Sequence, residues 1–199
     1  MKPMSVLIKP VSGNCDMKCA YCFYRDEQTH RNVSSFGMMN DRTIKNVLRK
    51  VILHSAGVCS IAFQGGEPTL AGIDFFLRTV SYAKRFNRNN IRIDYALQTN
   101  GLNINEQWCR FFKENHFLVG LSIDGTREIH DKYRRTVSGH GTFSQTAKAA
   151  EVFDRHGVAY NILTVVHREL AARTDEVYTF YKNRGWHYQQ YIVFLFEIH

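Results

Sequence analysis

The chain lacks any stretch approaching the ~20 consecutive apolar residues of a membrane-spanning helix, which excludes a helical membrane span. It shows no signal peptide, and its 5 cysteines are an odd number. Together these point to a reducing compartment, the cytoplasm, and away from a disulfide framework. No internal repeat, low-complexity segment or linker interrupts the sequence, so residues 1–199 read as one domain. Concentrated charge is missing too. The formal balance is +8, yet Lys and Arg are scattered and the densest clusters, Lys84-Arg85 and Arg134-Arg135, are short. That pattern reads as a solvated basic surface rather than a nucleic-acid footprint, with docking of an acidic partner or a cofactor carboxylate second. What is present is an apolar content of 44%, ordinary for a globular chain long enough to bury a sizeable core.

Apolar runs rich in β-branched and aromatic residues occur at Ser5–Val11, Val58–Gln64, Ile91–Gln98, Phe117–Asp124, Ala159–His167 and Tyr188–Phe196. Helical signatures alternate with them. Asp41–Ser55 places Ile44, Val47, Leu48, Val51 and Ile52 on one helical face, and Gly57 is positioned to end it. Ile73–Phe86 repeats the pattern, Asn105–Asn115 opens on an Asn cap, and Phe143–His156 stops at Gly157. Thr174–Arg184 opens with Thr174, Asp175 and Glu176 as cap and acidic first turn, and stops at Gly185. Such alternation implies βαβ units and a parallel sheet, either doubly wound or part of a barrel. The chemically suggestive residues fall just after strands, where barrel enzymes keep their sites, and this favours the barrel.

The first strand is followed by Gly13-Asn-Cys-Asp-Met-Lys-Cys-Ala-Tyr-Cys-Phe23, in which Cys15, Cys19 and Cys22 form C-x3-C-x2-C. Three thiols within eight residues can converge on one inorganic centre. A cluster of the 4Fe type normally takes four thiolates, so three leave one iron open for chemistry. A structural zinc site would need a fourth ligand, with His30 the nearest, but zinc modules usually pair two ligand sets and one set is visible. Cys59 and Cys109 lie in apolar surroundings and read as buried structural thiols.

The other strand ends add polar groups. Tyr21 and Phe23 either shield the cysteine centre or stack on a flat ligand. Gln64-Gly-Gly-Glu-Pro68 is an ordinary turn in isolation, but beside the cysteines its paired glycines allow close approach of backbone to a ligand, and Glu67 offers an acceptor for an ammonium group. Gln98-Thr-Asn-Gly101 reads as a capping turn or as polar groups facing the cleft. Ser122 and Asp124 are candidates to hydrogen-bond a ribose or carboxylate, and Arg134 to grip a carboxylate with two prongs. His130 serves equally as a structural hydrogen-bonder. The end of the fifth strand, near His167, carries nothing distinctive. Ile192, Val193, Phe194 and Leu195 form an apolar wall suited to one side of a purine.

These residues resemble the radical S-adenosylmethionine (SAM) superfamily, through the C-x3-C-x2-C loop with an aromatic before its third cysteine and through Gly-Gly-Glu-Pro after the second strand. More narrowly the chain is similar to the anaerobic sulfatase-maturating enzymes, along Ile8-Lys-Pro10, Cys15–Tyr24, Ala62–Gly72, Leu97–Gly101, Val119–Gly125 and Glu128–Asp131. The resemblance implies an α/β fold, a partial (β/α)6 TIM-like barrel of the radical SAM type ending after the sixth strand. It implies that Cys15, Cys19 and Cys22 hold a [4Fe-4S] cluster whose open iron binds S-adenosylmethionine. It implies further that Gly66 meets the cofactor's amino group, that Tyr21 and Leu195 contact its adenine region, and that Ser122 and Arg134 bind its polar parts. The implied reaction begins with an electron from a small flavodoxin- or ferredoxin-type carrier. A 5′-deoxyadenosyl radical then takes hydrogen from a Cys or Ser of an unfolded sulfatase, and oxidation yields Cα-formylglycine. Relatives continue into a cysteine-rich domain that holds two further clusters and the catalytic aspartate. The chain ends at His199 without either, so no catalytic base is expected in it and it reads as truncated. Two other readings are a fragment that at most binds cluster and cofactor, and a sibling enzyme acting on another peptide.

Overall fold

The computed structural model describes residues 2–193. Its strands are β1 (Lys2–Ile8), β2 (Ser55–Phe63), β3 (Arg92–Thr99), β4 (Phe117–Ser122), β5 (Tyr160–Val166) and β6 (Gln189–Val193). The helices are α1 (Phe23–Thr29), α2 (Asp41–His54), α3 (Ile73–Phe86), α4 (Glu106–Glu114), α5 (Arg127–Tyr133), α6 (Phe143–His156), α7 (Arg168–Ala172) and α8 (Thr174–Asn183). All five strand pairings are parallel, and the order is β1-β2-β3-β4-β5-β6. A doubly wound sheet reverses direction at a switch point. This sheet never does, and β1 and β6 remain as its two edges. It is a partial (β/α)6 barrel. Among the described residues no helix is long and apolar enough to cross a membrane.

Strand alternation divides the sheet into two faces. Cys59, Ile61, Phe63, Leu97, Phe117, Val119 and Leu121 are buried toward the helices. There Phe63 and Phe76 meet edge-on at 5.0 Å, and Tyr95 stacks on Phe117 at 4.9 Å. Cys59 and Cys109 are each fully buried in this core, as small apolar side chains. The opposite face carries Ala62, Ala96, Gln98, Gly120, Asn161 and Leu163, aligned across β2 to β5. Small and polar side chains leave the inside of the half-barrel open.

Periodicity located five of the eight helices well. Asn105 caps α4 as expected, accepting from Trp108 N at 3.1 Å. Gly157 closes α6 in the left-handed conformation at φ 62°. Three details differ. β1 ends at Ile8 rather than Val11, because the chain turns at once through Pro10 and Ser12, the latter at φ 59°. Gly57 does not end α2: the helix runs straight into β2, and Gly57 sits inside that strand at φ 73°. There two steps along β1, Lys2 to Met4, face four along β2, Ser55 to Cys59, and the glycine absorbs the irregularity. Thr174 is the first residue of α8 rather than its cap, its hydroxyl donating back to Ala171 O at 2.8 Å.

Candidate functional site

Parallel strands that start together end together, so the loops after β1 to β5 converge at one rim. They enclose a cleft lined by Cys15, Cys19, Cys22, Tyr21, Gly66, Ser122 and Arg134. Every cofactor or metal residue expected from the sequence is therefore brought together except Leu195, which lies outside the described residues. Ile192, from the same apolar run, does line the cleft, whereas Val193 is exposed. All five cysteines are free, and the three of the loop are half-buried. Among the described residues no three His, Cys, Asp or Glu side chains close around a single ion. A cuboidal cluster presents a separate corner to each thiolate, so its ligands stand farther apart than those of one metal ion.

The cysteine loop is pinned from both sides. On one side it runs antiparallel to the segment after α5: Lys18 N donates to Arg135 O at 2.7 Å and Ala20 N to Tyr133 O at 2.9 Å. On the other it meets the Gly65-Gly66 turn, where Glu67 N donates to Asn14 O at 2.8 Å. Gly66 stands at φ 60°, and a Cβ there would lie 2.2 Å from Asn14 O. The glycine is thus required by the approach of the chain's own backbone, at the residue just before Cys15.

Glu67 does not face the cleft as a free acceptor. It is 1% exposed, and its carboxylate accepts from Thr69 N at 3.0 Å, Thr69 Oγ1 at 2.7 Å, Thr99 Oγ1 at 2.8 Å and Asn100 N at 2.7 Å. Burial pushes its carboxyl above the usual range, against the pull of these donors. The side chain locks the turn after β2 to the end of β3. Asn100 then passes the order on: its Nδ2 donates to Asp16 Oδ1 at 2.7 Å and lies 3.9 Å from Cys15 Sγ, while Met17 N donates to that sulfur at 3.4 Å. Donors at a ligand sulfur orient it and tune the centre it holds. The Thr99-Asn100 pair therefore does face the site, with Asp16 as an unforeseen link.

The facing wall is ionic. Asp124, fully buried, accepts from Val165 N at 2.9 Å through Oδ1 and from the Tyr21 hydroxyl through Oδ2. It is spent inside the protein and is not the ribose or carboxylate contact expected of it. Arg134 Nη1 donates to the Tyr21 hydroxyl at 2.9 Å and lies 3.9 Å from Asp124 Oδ2. The contact is one-pronged, and the buried Arg134 Nε has no hydrogen-bond partner among the described residues. Burial raises the Tyr21 phenol well above its ordinary pKa, so it stays a neutral donor to Asp124. His130 is structural: Asp124 N donates to its Nδ1 at 3.3 Å, which leaves Nε2 to donate to Thr142 Oγ1 at 3.0 Å. Burial pushes its pKa well down, in keeping with that neutral tautomer. His167, unremarkable in the sequence, caps α7 and lies 3.9 Å from the Tyr133 ring, centroid to centroid.

Burial pushes the Cys15 thiol up to about 12 and raises Cys19 as well, so bare thiolates are disfavoured here. A bound cation reverses that balance by deprotonating its thiol ligands outright. The sequence model of the radical SAM superfamily matches residues 10–180. The chain belongs to the radical SAM superfamily. Within it, the chain is 45% identical over 192 residues to the cysteine-type anaerobic sulfatase-maturating enzyme of Clostridium novyi, covering 96% of this chain and 51% of that protein. It is 34% identical to the serine-type enzyme of Klebsiella aerogenes, covering 95% and 46% respectively. A solved structure described as native anSMEcpe with bound AdoMet and Kp18Cys peptide superposes with a TM-score of 0.90 at 43% identity, covering 96% of this chain and 51% of that one. The chain thus spans about half the length of the relatives it matches. Radical SAM proteins use a [4Fe-4S] cluster and S-adenosylmethionine. The residues present fit both groups: three free thiols on one loop, a backbone turn held against that loop, and a buried guanidinium nitrogen without a hydrogen-bond partner among the described residues.

Proposed function

We propose that the protein is a radical SAM oxidoreductase of the anaerobic sulfatase-maturating type, converting a Cys or Ser of an unfolded sulfatase to Cα-formylglycine. The observation that carries the reading is the convergence of Cys15, Cys19, Cys22, Gly66, Ser122 and Arg134 on one cleft at the C-terminal edge of the sheet. The cysteine-type relatives are the more similar, which favours a Cys-containing substrate over a Ser-containing one.

In this reading Cys15, Cys19 and Cys22 hold the cluster, and the residues of both walls orient it. The Gly65-Gly66 backbone and Arg134 seat S-adenosylmethionine, with Ser122 at the end of β4 and Tyr21 beside it. When bound, the two groups together supply reductive cleavage of a sulfonium C–S bond and a 5′-deoxyadenosyl radical that removes hydrogen from the substrate. The protein holds Glu67 and Asp124 in internal hydrogen bonds and so gives the reactive centre no exposed carboxylate from either. A small electron carrier serves as reductant, and the reducing cytoplasm keeps the thiols available.

The test is mass spectrometry of a Cys-containing sulfatase peptide after anaerobic incubation with the reconstituted protein, S-adenosylmethionine and a reductant. Formylglycine is the expected product, formed faster from Cys than from Ser peptide. A thioether crosslink instead would assign the protein to a sibling activity. Formation of 5′-deoxyadenosine with the peptide unchanged would reduce it to radical generation alone.

A further inference from the structure

A second cavity, of about 700 Å³, lies across the cysteine loop from the cleft. Cys19 and Cys22 line both spaces, so the loop is a thin wall between them. The outer cavity is basic. Lys18, Arg25, Lys132 and Arg135 surround it, all exposed, and among the described side chains lining it Asp26 is the single acid. Lys132 is held by Glu169 at 2.6 Å, and Asp26 stands 3.6 Å from His30. Val137, 68% exposed, adds an apolar group to the rim.

We infer that this cavity is the docking face of a small acidic one-electron carrier protein. The inference rests on the cluster reading of the three cysteines. In that reading the cofactor fills the inner cleft, which leaves the reductant only the outer side of the loop. A protein carrier is too large for the cleft, and the wide basic cavity offers it complementary charge beside two of the three cluster ligands. One electron leaves the reduced carrier and one arrives at the cluster, with no bond made or broken. Basic rims of this kind act mainly on encounter rate, and that rate falls as salt screens the charges. The segment carrying Arg135 also pins the loop through Lys18 N and Ala20 N, so the docked carrier would bear directly on the wall it reduces.

The experiment is anaerobic stopped-flow reduction of the reconstituted protein by two reductants: reduced flavodoxin, an acidic carrier, and photoreduced deazaflavin, a small molecule. The flavodoxin rate should fall with rising ionic strength. In the Arg25→Glu/Lys132→Gln protein it should drop by roughly tenfold or more and lose most of its salt dependence, with deazaflavin reduction and iron content unchanged. Arg25→Glu alone, outside the cysteine run, should show the same trend at smaller size and guards against damage to the loop. An unchanged flavodoxin rate in both variants, with the cluster intact, would overturn the docking face and leave the cluster reading standing. Failure of the unmodified protein to build a centre that deazaflavin can reduce would overturn both.

Discussion

The two walls of the cleft hold the same cysteine loop by different chemistry. On the β2–β3 side a buried carboxylate, Glu67, is satisfied by four neutral donors from the chain itself, and the order passes through Asn100 and Asp16 to Cys15. On the β4–β5 side charge faces charge through a phenol, Asp124 to Tyr21 to Arg134, and one guanidinium nitrogen finds no partner among the described residues. A closed network of neutral donors rigidifies a site, whereas a buried ionic group with spare capacity waits for a partner. The first wall therefore builds the loop, and the second, in the proposed reading, is where S-adenosylmethionine completes the hydrogen bonding.

That contrast can be broken by substitution. The largest effect belongs to what both walls serve: Cys19→Ala should reduce iron after reconstitution from about four per chain to near background, since one of three protein ligands is gone. Retained iron stoichiometry would remove the loop from the account. Next, Glu67→Ala leaves four buried donors without their acceptor. It should cost about 3 kcal/mol or more of stability, with loss of iron as the loop comes free of β3. Thermal unfolding and iron analysis read both, and a stable variant with full iron would mean the first wall does not build the loop.

The ionic wall should respond otherwise. Arg134→Lys keeps the charge but loses the planar fork, so S-adenosylmethionine affinity should weaken by about tenfold while iron content holds. Unchanged affinity by calorimetry would place Arg134 outside the cofactor contacts. The smallest effect is expected of Tyr21→Phe, which keeps the ring in the cleft and removes the hydroxyl between Asp124 and Arg134. About 1 kcal/mol of stability should be lost, with iron retained. Loss of iron in that variant would show that this wall, too, builds the loop.

The sheet was legible because each apolar run reports burial on a β-strand and each long amphipathic helix repeats its face several times. The short helices α1, α5 and α7, of seven, seven and five residues, complete too few turns to show a face. The cysteines were legible because their spacing is local. Glu67 and Asp124 were not: each reads as an exposed polar group at a strand end, and only the crossing of neighbouring strands shows that its oxygens are taken up inside. The same holds for Gly66, whose need for glycine comes from Asn14, fifty-two positions earlier in the chain. Gly57 misled because a glycine after a helix is usually a stop, and here it serves a strand irregularity against β1 instead.

The most direct test of the account is anaerobic reconstitution with iron and sulfide, followed by reduction in the presence of S-adenosylmethionine. The account predicts about four irons per chain, a charge-transfer absorbance, and release of 5′-deoxyadenosine. A well-folded protein that binds no cluster and releases no 5′-deoxyadenosine would contradict it.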